Sequence, residues 1–347
     1  MRIKDIAIFN PKGNKPEEYI NYIDTSSVED GKLHEVQTLS REIPSRAQRL
    51  IALNDILISS VRPNLRHNYF VNKEIPHGIA STGFIQIRVI SSNVNPQFLY
   101  YFLTSEQKVL HYQTIAETSQ STFPSFNKDV IEGLDFPNVT LNDQRHIVDI
   151  LGTLDEKIEN NNKIIVELES ILSSKYHELV ARNTTEIPLS NCIELYTGKL
   201  DANAAEENGK YPFFTCGITP EKINTYAFDC EAIIIAGNGN FNVKYYNGKF
   251  NAYQRTYVIK ANKYFAIILQ HYKGKIKEWS SSARGSVIKF LTKSMLIDDT
   301  IKISNNYAKN EEYESFSKTI QEKIKNLLET NAKLNQLKQL YLKKFFG

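Results

Sequence analysis

Apolar residues recur by sevens along residues 141–182. One row is Leu151, Ile158, Ile165, Leu172 and Leu179; the second is Ile147, Leu154, Asn161, Leu168 and Lys175. The stretch holds no proline, and Gly152 is its only glycine. Two such rows are the a and d positions of a coiled-coil helix. The chain end, 310–347, carries the same frame: Ile324, Asn331, Lys338 and Phe345 in one row, Ile320, Leu327, Leu334 and Tyr341 in the other. Laid antiparallel, end to end, the helices place Leu151 by Tyr341, Leu172 by Ile320, Leu154 by Lys338, Lys175 by Ser317 and Asn161 by Asn331.

The blocks before these helices have shorter periods. Ile56–Val61 and Gly83–Val89 read as strands, and Pro96–Thr104 as a short helix with Asn95 as its N-cap. In the second block Ala232–Ala236 and Thr256–Ile259 read as strands and Tyr264–Tyr272 as a short helix. The two halves keep a nearly constant offset. Glu156-Lys157-Ile158 matches Glu322-Lys323-Ile324, Ser121–Lys128 resembles Ser286–Lys293, Gln97-Phe98 sits against Tyr264-Phe265, and Ala80 against Ala252. The order is block, helix, block, helix. The expected fold is α+β: two mixed α/β domains related by an internal repeat, 1–140 and 183–309, joined by a central helix at 141–182 and a C-terminal helix at 310–347 that pack as an antiparallel coiled coil.

With 347 residues there is ample length for two cores. A net charge of +3 says little about partners, but its distribution does. Lys244–Lys293 holds eleven basic residues against one acid, Glu278, with Tyr245, Tyr246, Tyr253, Tyr257, Tyr264, Tyr272 and Trp279 interleaved. Cations beside rings suit a nucleic acid, the cations meeting phosphate and the rings packing on bases or sugars; a lysine-rich solvated face is the plainer alternative. A weaker basic cluster is Arg41, Arg46, Arg49, Arg62, Arg66 and Lys73. No apolar run reaches membrane-spanning length, and Met1–Asn10 lacks a signal-like apolar stretch. Three cysteines without a C-x-x-C pair fit a reducing cytoplasm.

No catalytic motif stands out. Asn95-Pro96-Gln97-Phe98 is a near miss for the Asn-Pro-Pro-aromatic loop of adenine methyltransferases. Gly237-Asn238-Gly239 lacks the third glycine of a dinucleotide loop, Asn242 standing in its place. The histidines have no metal-ligand spacing. The polar residues where strands end fit DNA readout better, since Arg suits guanine and Asn or Gln suits adenine. The candidates are Ser60, Arg62, Arg66, Ser119, Gln120 and Thr122 in the first block, and Asn238, Asn240, Tyr253, Gln254, Arg255 and Arg284 in the second.

Several segments together resemble a known family: Asn54–Asn64 (NDILISSVRPN), Ala80–Phe84 (ASTGF), Pro96–Leu103 (PQFLYYFL), Ser121–Asp129 with Leu134–Pro137, and Asp143–Leu179 with Leu154–Ile158 (LDEKI). They resemble the specificity subunit of type I restriction–modification systems. The family's Glu-Gln pair at the central helix start is Asp143-Gln144 here, and the second helix, opening Asn310-Glu311-Glu312-Tyr313, lacks it. The resemblance implies two target recognition domains on a split DNA site with the helices as a ruler. It further implies two methylation subunits and restriction subunits as partners, and double-stranded DNA as ligand. S-adenosylmethionine, ATP and magnesium would sit on those partners and none on this chain, which would perform no chemistry in the cytoplasm. The competing reading is a coiled-coil protein–protein adaptor without DNA specificity, which would show no salt-linked DNA binding. A self-sufficient nucleic-acid-modifying enzyme is disfavoured by the missing motifs.

Overall fold

The computed structural model describes residues 1–13, 18–118, 124–282 and 290–347. It mixes helix and sheet, an α+β chain, and forms two compact units: Met1–Glu159 with Asn331–Gly347, and Asn160–Thr330.

In the first unit one antiparallel sheet runs in the order Ala7–Phe9, Phe84–Val89, Ile56–Ser59, Asn68–Phe70, and a mixed sheet, its central pair parallel, runs Gln37–Leu39, Ile20–Ile23, Gly78–Ser81, Ala47–Leu50. The run ILIS at Ile56–Ser59 is buried along its whole length, as befits a strand covered on both faces. The helix Pro96–Leu103 starts as its sequence dictates. Asn95 Oδ1 accepts from the Gln97 and Phe98 amides at 2.9 and 3.1 Å, and Pro96 takes the first position, where no amide is missed. Phe98, Leu99, Tyr101 and Phe102 bury its inner face in a core that also holds Ile147, Leu151 and Phe346. Each such side chain contributes about 1.5–3 kcal/mol relative to exposure. Gln144, buried at the start of the long helix Leu141–Leu179, accepts from Asn95 N and donates to the Asn93 and Val139 carbonyls. Further along that helix Asp155 accepts from Tyr101 Oη at 2.8 Å and from Lys338 Nζ at 2.7 Å.

The second unit is built on a six-stranded sheet in the order Ile193–Thr197, Thr256–Ala261, Phe228–Ala236, Val243–Ala252, Tyr211–Phe214, Glu221–Ile223. This sheet has to roll on itself. Thr256 pairs with Ala236 at one end of the long central strand, while Phe250 pairs with Phe228 near the other. The Phe228-to-Ala236 separation is about 27 Å along a straight strand. Yet only Tyr253–Arg255 connect Ala252 to Thr256, a reach of at most about 14 Å. Glycines sit where the roll closes. A Cβ on Gly198 would lie 2.0 Å from the Ala252 carbonyl oxygen, and one on Gly237 would lie 2.4 Å from that of Arg255.

The helix read as Tyr264–Tyr272 extends over Phe265–Ser282. Gly274 does not end it, because Tyr272, Ile276 and Trp279 continue the apolar stripe into the core of this unit. Glu314 covers the start of this helix, accepting from the Ala266 and Ile267 amides. Burial raises its pKa, against the lowering effect of those amides. The second long helix, Tyr307–Phe346, begins three residues before the heptad rows suggested. Within this unit Tyr313 Oη donates to the Leu172 carbonyl at 3.1 Å, and Lys175 lies 5.3 Å over the Phe316 ring, one residue from the Ser317 expected opposite it. Asn161 and Asn331 are both buried and fall in different units. Among the described residues no helix is long and apolar enough to cross a membrane.

Candidate nucleic-acid interface

In the first unit the chain leaves the strand Ile56–Ser59 and is caught at once by main-chain bonds. Ser60 N donates to the Gly83 carbonyl at 2.9 Å, Phe126 N donates to the Ser60 carbonyl at 3.0 Å, and Val61 and Ser125 form an antiparallel bridge. Ser60 Oγ also donates to Gly83 O, at 3.1 Å. Arg62 is exposed and left-handed at φ 48°, its amide on the Pro124 carbonyl at 2.8 Å. The structure therefore brings Ser60 and Arg62 to one edge. Arg66 is drawn toward the helix Glu106–Glu117 instead. Its guanidinium meets the largely exposed Glu106 at 3.2 Å and the Thr104 carbonyl at 3.5 Å, a surface ion pair within the chain. Ser119, Gln120 and Thr122 lie outside the described residues.

In the second unit the strand Phe228–Ala236 ends in the same manner. Gly237 N donates to the Arg255 carbonyl at 2.9 Å, Leu291 N donates to the Gly237 carbonyl at 2.8 Å, and Asn238 bridges Phe290. Gly237–Asn242 is a turn between two strands, with Gly239 at φ 71°, and no helix follows it as a dinucleotide loop requires. Asn238 is half-buried, and Asn240, Gln254 and Arg255 are exposed. Gln254 donates to Asp201 at 2.7 Å, and the half-buried Tyr253 is held by its amide on the Phe214 carbonyl at 3.0 Å. Arg284 lies outside the described residues.

Sequence reasoning passed over other residues at these edges. Arg46 borders Gly83: a Cβ on Gly83 would meet its guanidinium at 3.0 Å. The weak basic cluster contained it, but nothing in the local pattern separated it from its neighbours. In the second unit the loop after Tyr211–Phe214 joins the cluster. Asn242 Nδ2 donates to the Cys216 carbonyl at 3.0 Å, and Cys216 Sγ approaches the Arg255 carbonyl at 3.6 Å. Lys244 Nζ donates to the Gly217 carbonyl at 2.6 Å and also to Asn242 Oδ1. Burial pushes the Lys244 pKa down to about 8, with Cys216 acting weakly the other way. Phe290 gave no separate signal, being one of several apolar residues in Val287-Ile288-Lys289-Phe290-Leu291.

Each edge thus offers amides, hydroxyls and guanidinium groups on a main-chain frame, the chemistry of base-edge and phosphate contact. Among the described residues no three His, Cys, Asp or Glu side chains are grouped to hold a metal ion. Residues 1–170 match the family model described as the type I restriction modification DNA specificity domain. This region, just under half of the chain, is thus similar to that family's specificity domain. This bears out the resemblance read from the sequence. Among curated relatives, the EcoDI specificity subunit of Escherichia coli is 41% identical over 167 residues, 46% of this chain and 35% of that protein. The HindI specificity subunit of Haemophilus influenzae is 31% identical over 229 residues, 62% of this chain and 50% of that protein. The chain thus spans about a third to a half of the length of those curated relatives. A crystal structure of a type I restriction–modification S subunit from M. genitalium aligns over 100% of this chain and 95% of its own, at 16% identity and a TM-score of 0.59, and so shares the fold.

Proposed function

We propose that this chain is the DNA-sequence-recognising subunit of a type I restriction–modification complex. It binds a bipartite site on double-stranded DNA and directs adenine methylation or cleavage by partner subunits in the cytoplasm. Residues 1–140 and 183–309 are its two target recognition domains; 141–182 and 310–347 are the spacer helices, packed as an antiparallel coiled coil. Two methylation subunits supply the S-adenosylmethionine chemistry, restriction subunits add ATP- and magnesium-dependent cleavage, and this chain is not itself catalytic.

The observation that carries the two-reader reading is the matched main-chain frame. Gly83 and Arg255 supply the equivalent carbonyls and are 172 residues apart, the offset of Ala80 and Ala252. Phe126 and Leu291 supply the equivalent amides and are 165 apart, the offset of Ser121 and Ser286. The third position, Ser60 and Gly237, is 177 apart, so the bond pattern recurs while the offset varies, as insertions within a duplicated domain would leave it. Antiparallel helices are supported within the first unit. Ile147 and Leu151 share a core with Phe345 and Phe346, and Asp155, further along, pairs with Lys338, further back.

The test is co-expression with the methylation subunit, purification of the complex and genome-wide mapping of methylated adenines. Exchanging 1–140 for another family member's block is expected to change one half of the mapped site and leave the other. A change in both halves together, or no methylation linked to this chain, would overturn the proposal.

A further inference from the structure

In the second unit Phe290 is 62% exposed, although its surroundings are not loose. Its neighbour Leu291 is fixed at both ends of its peptide unit, by Gly237 at 2.8 Å and by the Tyr257 hydroxyl at 2.8 Å, and Phe290 itself bridges Asn238. Residues directly opposite in an antiparallel pair project on the same side, their Cβ atoms about 5 Å apart. The ring therefore stands beside the Asn238 amide, and no hydrogen bond among the described residues engages that amide. An exposed apolar ring gains nothing from water and gains on being covered. The surplus of basic residues from Lys244 to Lys293 marks the covering partner as polyanionic.

In the major groove thymine alone carries a methyl group, and adenine alone presents an acceptor and a donor side by side, at N7 and N6, matching an amide. A carboxamide beside an apolar ring is therefore complementary to A·T. Against G·C it meets two acceptors on guanine and no methyl. Resting on the DNA-recognition reading, we propose that Asn238 and Phe290 together read an A·T pair in the half-site bound by the second unit, Asn238 on adenine and Phe290 against the thymine methyl. In the first unit the equivalent bridge joins Val61 and Ser125, a different pair of side chains on the same frame, as reading a different sequence requires.

The experiment uses the purified complex with its methylation subunits and duplexes carrying the mapped site. Each thymine of that half-site is replaced singly by deoxyuridine, which lacks only the methyl. For the wild type, one replacement is expected to weaken binding about fourfold, the worth of one buried methyl-sized group. Phe290→Ala should weaken binding to the unmodified site and become indifferent to that replacement, while the other half-site responds as in wild type. Asn238→Ala should lose preference for adenine at the same pair. Specific DNA binding with no thymine whose replacement separates wild type from Phe290→Ala would overturn the inference and leave the DNA-recognition reading standing. Absence of specific DNA binding by the wild-type complex would overturn both.

Discussion

Asp55 is the residue whose loss should be felt most in the first unit. It is fully buried and accepts four bonds of 2.7 Å, from Ala52 N, Gln86 Nε2, Arg88 Nε and an Arg88 terminal nitrogen. It immediately precedes the strand that delivers Ser60, and its side-chain partners Gln86 and Arg88 lie on the neighbouring strand Phe84–Val89. Breaking a buried ion pair from one side costs about 3–5 kcal/mol. The two sides are not equal here. Arg88 is 36% exposed and can regain water, and Gln86 keeps the Leu50 carbonyl at 2.7 Å, so Asp55→Ala belongs at the low end, about 3 kcal/mol. Arg88→Met leaves a carboxylate with no exposure and only two donors, and should cost about 4 kcal/mol. The double variant should fall short of the sum by about 1–2 kcal/mol, because neither charge is then stranded. The sole tryptophan, Trp279, lies in the other unit, so its fluorescence is the wrong probe. Hydrogen exchange of the Ile56–Ser59 and Phe84–Val89 amides reads the right one. An Asp55→Ala loss within about 0.5 kcal/mol of wild type, or simple additivity in the double variant, would refute this account.

Two pH dependences follow from the second unit. Lys244, with its pKa pushed down to about 8 by burial, carries charge below that pH and loses it above, so DNA affinity of the complex should fall between pH 7 and 9, and Lys244→Met should flatten the fall in a fluorescence anisotropy titration. Burial also holds His271 below its ordinary value of 6.5, although Asp299 at 2.9 Å and Glu278 favour its charge and Lys275 disfavours it. The unfolded chain then binds the proton more readily, so stability of this unit should be full above about pH 6.5 and decline as pH drops below it; urea melts followed by Trp279 fluorescence at pH 7.5 and 5.5 should show a smaller gap for His271→Asn.

The helices were legible because their signal is local and repeated. Seven-residue rows survive any tertiary context, and Asn95-Pro96 announces a helix start by its own chemistry. The end of Phe265–Ser282 was not legible, because Gly274 reads as a stop and its cost there is overruled by the burial of Ile276 and Trp279 beyond it. The roll of the six-stranded sheet was equally hidden. It follows from Ala252 and Thr256 being close in sequence and pairing at distant points of one strand, which no window of sequence reveals. The surroundings of Arg66 were hidden for a related reason: its ion pair is with Glu106, forty residues away, which no local pattern reveals.

The candidate site divides along the same line. Ser60 and Asn238 could be picked because strands must end somewhere polar, whereas Phe290 could not, because its significance lies entirely in standing opposite Asn238. At both edges the bonds that set the frame run between main-chain atoms: Ser60 to Gly83 and Phe126, Gly237 to Arg255 and Leu291. Main-chain bonds place few demands on side chains. Serine and glycine occupy one position of the frame in the two units, glycine and arginine another, phenylalanine and leucine a third. A frame of this kind lets the residues facing DNA change while the edge that presents them stays put, since the changes leave its hydrogen bonds intact. On the proposed reading, this separates stability from specificity. Substitutions at Asn238 or Phe290 should alter which base pair is preferred with little effect on folding. Substitutions that add a Cβ at Gly237, 2.4 Å from the Arg255 carbonyl oxygen, should instead damage the edge itself and with it every preference the second unit has.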